Sequence, residues 1–302
     1  MSNSKMLAHD EAALADPQRV LPLRVAVLDL YNGEANLGLA AIDQIVDRFS
    51  GKFGGIPFEK RRFDVRGRAE VPDNNFDIYI SSGGPGSPFE GYGSQWEKNY
   101  FGWLDDIWRH NTARSVNGDS PKHVLFICHS FQMMVRHFEV AHVEKRRSPS
   151  FGVFPVHPTS HGFHDPLFAG LSDPFYAADF REWQVVKKSA HHLKDLGARI
   201  IAREKYRPNV PLERAIMGIR ISDELVGVQF HPEADPAGML KHFEQPDRLR
   251  KIVEAHGLAK YRRIIGRLAD PQYLARTYAA VVPNFLHEAV SALRDIPQEQ
   301  LT

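Results

Sequence analysis

From Leu23 onward the apolar positions alternate between strand-like runs and helix-like spacings. Leu23 to Leu30 is the near-continuous apolar run of a buried parallel strand, and Leu37, Ala41, Ile45 and Phe49 then recur at helical spacing, so the chain opens as strand, turn, helix. The turn Asp29-Leu30-Tyr31-Asn32-Gly33-Glu34-Ala35-Asn36 falls at a strand C-terminal end, where open α/β sheets gather their ligands, although Asn, Asp and Gly are ordinary turn chemistry as well. A further strand, Asp77 to Ser82, enters a glycine- and proline-rich turn. Trp96, Tyr100, Trp103 and Ile107 follow at helical spacing and are read as a helix packing on the sheet, which leaves Phe89 and Tyr92 as pocket candidates. Asn111 to Lys122, with Gly118 and Pro121, reads as a polar surface loop. Val124 to Ile127 and Val226 to Phe230 are strand-like. Beyond Glu233 the pattern becomes helical over Asp247 to His256, Leu258 to Leu268 and Asp270 to Leu293, with Pro283 expected to kink the last helix.

The candidate chemistry sits where these elements change. Cys128, the chain's one cysteine, ends the run Val124-Leu125-Phe126-Ile127 and precedes the amphipathic stretch Phe131 to Val135. A thiol on a strand-to-helix turn is raised above the sheet edge at a helix N-terminus that favours thiolate. A buried cysteine filling the core is the competing reading. Position favours the nucleophile, because this cysteine terminates its strand and is followed by the polar His129 and Ser130. Val226-Gly227-Val228-Gln229-Phe230-His231-Pro232-Glu233 then supplies a base and, two residues on, a carboxylate to orient it.

The glycine turn reads Ser82-Gly83-Gly84-Pro85-Gly86-Ser87-Pro88. That turn, the Cys128 elbow with Gln132 four places on, and His231-Pro232-Glu233 occur in an order and spacing that resemble the class I (triad) glutamine amidotransferases from about Val25 to Glu233. The resemblance implies a doubly wound, mostly parallel, flavodoxin-like α/β sheet over residues 23–235, preceded by an N-terminal extension (1–22) and followed by a helical C-terminal extension (236–302). It also implies roles. Cys128 would attack the side-chain amide of glutamine to give a thioester and ammonia, His231 would shuttle the proton, and Glu233 would orient the imidazole. The amides of Gly84 and His129 would form the oxyanion hole, and Gln132 and Gly83 would face the substrate.

The chain departs from the family pattern at named places. The family elbow carries glycines two before and two after the cysteine, where this chain has Phe126 and Ser130, so a neighbouring strand must yield space to the phenyl ring. The wall of the glutamine site reads Phe180-Arg181-Glu182-Trp183-Gln184, so Arg181 and Glu182 are expected to pair with a charged substrate tail and Trp183 to limit its width, favouring a larger γ-glutamyl-type amide over free glutamine. His129 beside the nucleophile is similar to the Cys-His-Gly elbow of the intracellular-protease branch of the same superfamily, but His231 and Glu233 already supply base and orienter, so only its backbone amide is assigned a role.

Composition narrows the rest. With 302 residues, 43% hydrophobic and 25% charged, the chain is long enough to bury a full core, and a net charge of +1 gives no reason to expect nucleic acid or membrane as its partner. A lone cysteine fits a reducing compartment, and Met1 to Leu21 has neither the apolar core of a secretory signal nor the length of a membrane span, so a cytoplasmic location is expected. His157, His161, His164 and Asp165 lie in a Pro- and Gly-punctuated loop and are not assigned a metal; the triad chemistry calls for no metal or cofactor. Lys60-Arg61-Arg62 and Lys145-Arg146-Arg147 are flanked by acids and read as solvated faces. About seventy residues of helix leave no room for a synthetase domain, so ammonia would pass to a separate protein or to water, and the helices would cover the core, form a lid or make a homo-oligomer contact. A non-catalytic binding or regulatory module that retained the fold is the alternative.

Overall fold

A computed structural model describes residues 21–52, 56–187, 191–209 and 211–295. The N-terminal extension expected for residues 1–22 therefore lies, up to residue 20, outside the described residues. The first half follows the βα rhythm of the sequence: β1 (Leu23–Asp29), α1 (Gly38–Lys52), β2 (Phe58–Asp64), the single turn α2 (Val65–Arg68), β3 (Ile78–Ser81), α3 (Gln95–Asn117), β4 (His123–Ile127) and α4 (His129–Phe138). The second half brings β5 (His142–Pro158), β6 (Phe175–Val186), the short α5 (His191–Asp195), β7 (Arg199–Glu204), β8 (Ile216–Arg220) and β9 (Leu225–Val228). It closes with α6 (Pro236–Phe243), α7 (Pro246–His256), α8 (Leu258–Ala269) and α9 (Leu274–Arg294).

The strands form one nine-stranded sheet in the order β2-β1-β3-β4-β9-β8-β6-β5-β7. The first five of these are parallel, but β8 is antiparallel to β9, the pairings among β5, β6, β7 and β8 are antiparallel, and β7 returns to pair with β8. The expected mostly parallel sheet is thus corrected to a mixed one whose antiparallel half curls back on itself. The cause lies in β5, which carries Lys145, Arg146, Arg147, Pro149 and Pro155. Charges and prolines of that kind read as a loop, yet the strand is paired with β6 along its length apart from a register shift between Lys145 and Ser150.

Helices cover both faces of the parallel half. Val25, Val27, Ile80 and Ile127 point to a core closed by α1 and α9, whereas Ala26, Leu28, Tyr79 and Phe126 point to the one closed by α3 and α4, as the two-residue period of a strand demands. The aromatic stripe of α3 is core, as its spacing predicts, with Tyr100, Trp103 and Ile107 buried. Its C-terminal end is longer than the sequence suggests, since Asn111 to Asn117 continue the helix to a left-handed cap at Gly118. Leu37 lies outside α1 and is 48% exposed, whereas Ala41, Ile45 and Phe49 are buried as their spacing predicts, together with Leu39, Ile42 and Val46.

The last helix belongs to the main core. Val281, Val282, Phe285, Leu286, Ala289 and Val290 of α9 are buried there, and full burial of a Val, Leu or Phe side chain is worth roughly 1.5–3 kcal/mol each. Helix α9 runs through Pro283 as one element. A buried ion cluster fastens it further: Arg220 on β8 donates to both oxygens of Asp165 at 2.7 and 2.8 Å and to Glu288 of α9 at 2.8 and 3.0 Å. Helices α6 and α8 instead cover the β5–β6 hairpin through Met239, Ile264 and Leu268. None of the helices among the described residues is long and apolar enough to cross a membrane.

Candidate active site

Cys128 stands between β4 and α4 with φ 50° and ψ −96°, a conformation that costs a non-glycine residue on the order of 1–3 kcal/mol and persists only where its surroundings over-determine it. Those surroundings are visible. The Cys128 amide donates to Val228 O at 2.8 Å, Ile127 N donates to Ser130 Oγ at 2.8 Å, and Ser130 Oγ donates to Ser81 O at 2.7 Å. Serine in place of the family's second glycine thus fastens the elbow to β3. Phe126 is fully buried and paired with Gly227 on β9, so the neighbouring strand supplies the missing bulk allowance.

His231 follows β9, and its amide donates to Ala178 O on β6 at 2.9 Å. Its Nδ1 is 2.8 Å from Glu233 Oε1, and Cys128 stands near enough for its charge to act on the ring. Burial alone would push the imidazole toward neutrality; the charges of Cys128 and Glu233 and the Glu233 hydrogen bond overcome it and raise its pKa well above the usual range. The ring lies against Gly83, where an added Cβ would come 2.7 Å from His231 Cε1. Glu233 is 1% exposed, and its Oε2 has no hydrogen-bond partner among the described residues. Tyr31, from the turn after β1, stands beside this group: burial first, then the charges of Glu233, Cys128 and Asp29, hold its phenol well above the usual range and keep it protonated.

The Gly83–Pro88 loop is clamped by two arginines. Arg66 donates to Pro85 O at 2.7 Å and Arg136 donates to Pro88 O while pairing with Glu97 at 2.7 Å. A Cβ on Gly84 would sit 2.4 Å from Leu30 O, so only glycine lets the loop close over the end of β1. His129 begins α4, where a first-turn amide has no intrahelical acceptor. Its side chain is buried and its pKa is pushed down to about 3, by burial first and then by Arg66 and Arg136, so the imidazole is neutral.

A cavity of about 420 Å³ opens above Cys128, lined by Gly84, His129, Gln132 and Trp183 among others. Gln132 Nε2 donates to Trp183 O at 3.3 Å and to Gln229 Oε1 at 3.2 Å, and Gln229 Nε2 reaches Cys128 Sγ at 3.8 Å. Sequence reasoning does not single out Gln229. A signal is nonetheless present, because it lies two residues before His231 and is a polar, fully buried side chain in an apolar run.

Comparison with known proteins decides the family. The model of the class-I glutamine amidotransferases matches residues 55–244, more than half of the chain. This chain belongs to that family. Solved structures share the fold at low identity: a glutamine amidotransferase from Thermotoga maritima (16% identity, TM-score 0.63, covering 89% of this chain and 98% of that one), the glutaminase domain of Trypanosoma brucei CTPS with bound acivicin (13%, 0.54, 91% and 97%) and a glutamine amidotransferase from Methylobacillus flagellatus (14%, 0.53, 88% and 96%). A search of curated proteins finds no match.

Within this amidotransferase domain the expected substrate wall divides. Arg181 borders the cavity, but its side chain is 2% exposed and its guanidinium is spent on Asp179 at 2.7 Å, Trp183 O at 3.3 Å and Met217 Sδ at 3.4 Å. Its guanidinium is thus turned toward the antiparallel half of the sheet and already paired there. Glu182 is exposed at the rim, 3.8 Å from Lys145. Trp183 stays on the wall, its ring centroid 5.3 Å from that of Phe89, which in turn lies under Arg136. Tyr92, the other pocket candidate, is 83% exposed and lines no part of the cavity.

Proposed function

We propose that this protein hydrolyses a glutamine or γ-glutamyl-type amide through a thioester on Cys128. The observation that carries the reading is the 2.8 Å contact of His231 Nδ1 with Glu233 Oε1, beside a Cys128 whose strained elbow and Gln229 contact hold it at the mouth of the cavity. In this reading the Cys128 proton resides on the imidazole nitrogen not held by Glu233, and the sulfur, as thiolate, attacks the amide carbon. The carbonyl oxygen, now negative, takes hydrogen bonds from the Gly84 and His129 amides, preorganised donors each worth on the order of 100-fold in rate. His231 returns the proton to the departing nitrogen, and the C–N bond breaks to leave the thioester. Water, deprotonated by His231, then releases the acid and restores the thiol.

In this reading Gln132 and Gln229 would hold the acyl chain beside the sulfur, with Gly83 and Trp183 as walls. The amine or ammonia leaves to water or to a separate accepting protein. The buried, fully accommodated Phe126 supports an elbow competent for this chemistry, and so speaks for the enzyme over a non-catalytic module that kept the fold.

The test is amine release from glutamine and from γ-glutamyl amides by the wild type, Cys128→Ala and His231→Ala. Both variants are expected to fall at least about 1,000-fold, and to nearly the same floor, because members of one catalytic unit are not additive. Wild-type rates in Cys128→Ala would overturn the reading.

A further inference from the structure

A second cavity, of about 370 Å³, lies on the His231 side of the reacting centre. It shares Gly84, Pro85, Phe151 and Phe180 with the cavity above Cys128, so the two meet at the glycine loop and a pair of phenyl rings. Their chemistry is divided. Cys128, His129 and Gln132 line the first, whereas His231 and Glu233 line the second.

A scissile amide has to straddle that division. Its acyl carbon lies at the sulfur, on the first side, and its oxygen at the amides of His129, on that side, and Gly84, on the boundary; its nitrogen lies toward His231, which delivers the departing proton. Whatever the nitrogen carries therefore enters the second cavity. Ammonia occupies about the volume of a water, roughly 30 Å³, a small fraction of the space available. The walls are also wrong for a small polar product. Phe151, Phe180, Met239 and Phe243 present apolar surface, and Leu37, 48% exposed, is held at this cavity and outside the helix it precedes.

We infer that the second cavity receives the amine half of the substrate, and that the substrate is an N-substituted amide whose amine bears an apolar group. This rests on the thioester reading above and names the substrate class of that same site. The step balances without a further reactant. The thiol and the N-substituted amide give the thioester and a free primary amine, the sulfur's proton reaching nitrogen through His231, and water then gives the carboxylic acid and the thiol.

The experiment compares kcat/KM for γ-glutamyl benzylamide and for glutamine in the wild type, Leu37→Trp and Leu37→Ala. The wild type is expected to favour the benzylamide by at least 10-fold. Leu37→Trp, which intrudes on the cavity from an exposed position outside α1, is expected to cut that ratio at least 5-fold, and Leu37→Ala to keep it or extend it to bulkier amines. A wild type that prefers glutamine, or a ratio that Leu37→Trp leaves unmoved, overturns the inference while leaving Cys128-dependent hydrolysis standing. No Cys128-dependent hydrolysis of either amide overturns both.

Discussion

Gly227 on β9 pairs with Phe126 on β4, and a Cβ added to it would stand 2.6 Å from Phe131 Cδ2 and 3.2 Å from Phe126 Cβ. The glycine therefore makes room for two rings, one two residues before the nucleophile and one three residues after it. Gly227→Ala is expected to destabilise the fold by about 1–3 kcal/mol, the usual cost of overpacking, and to lower kcat more than it raises KM, because Phe131 cannot move without the first turn of α4. Chemical denaturation and steady-state kinetics on one preparation check both halves; an unchanged kcat would show that the elbow is not coupled to this contact.

Gly83 plays a similar part for the base. With His231 Cε1 only 2.7 Å from where a Cβ would be, Gly83→Ala must displace the imidazole from between Cys128 and Glu233. A misplacement of this size is expected to cost about 100-fold in kcat. Stability is expected to change little. A folded Gly83→Ala variant with wild-type kcat would remove His231 from its assigned role.

The charge arrangement around His231 sets the alkaline limb of the rate profile. Burial works against the imidazolium, but Cys128 and Glu233 raise its pKa well above the usual 6.5, so activity that needs this proton persists past that pH. Glu233→Gln removes one of the raising charges, and the alkaline limb of kcat/KM is expected to move to lower pH. A limb that stays in place would mean that another group sets it.

Acid stability follows from two other histidines. Burial, then the Arg114 and Arg220 charges, push His123 down to about 3, and burial, then Arg66 and Arg136, do the same to His129. Both pKa values fall on folding, so the stability they contribute is complete above the unfolded value near 6.5 and is lost as pH drops toward 3. The slope is about 1.4 kcal/mol per pH unit for each histidine in that window. His123→Leu, which also removes a buried Nε2 without a partner among the described residues, is expected to flatten the dependence of unfolding free energy on pH between 6 and 4 by about one such increment. Parallel curves for the variant and the wild type would contradict this.

What can be read from the chain is local and ordered. A strand ending in Cys128, a glycine turn after β3 and a histidine two residues from a carboxylate each announce themselves within a few residues. The antiparallel half does not, because β5 carries the charged run Lys145-Arg146-Arg147 and three prolines, and its pairing appears only once β6 and β7 lie beside it. Arg181 shows the same limit: its charge is legible, but its direction depends on Asp179 and Met217, the second of which lies 36 residues away. Gln229 is marked only as a polar residue in an apolar run and Tyr31 only as a member of the turn after β1; that both stand beside Cys128 depends on strands adjacent in space and distant in sequence. Helix α9 reads as an appendage for the converse reason. Its apolar face is plain in the sequence, but the sheet face it closes is built from strands at the opposite end of the chain, Val25 and Val27 among them.

The thioester on Cys128 is tested most directly by turnover of a γ-glutamyl amide in the presence of hydroxylamine. A covalent acyl-enzyme is intercepted by the stronger nucleophile, so the wild type is expected to yield γ-glutamyl hydroxamate at the expense of glutamate, and Cys128→Ala to form neither. Amine release by the wild type with glutamate as the sole acyl product at every hydroxylamine concentration, or hydroxamate formed at the same rate by Cys128→Ala, would contradict the account.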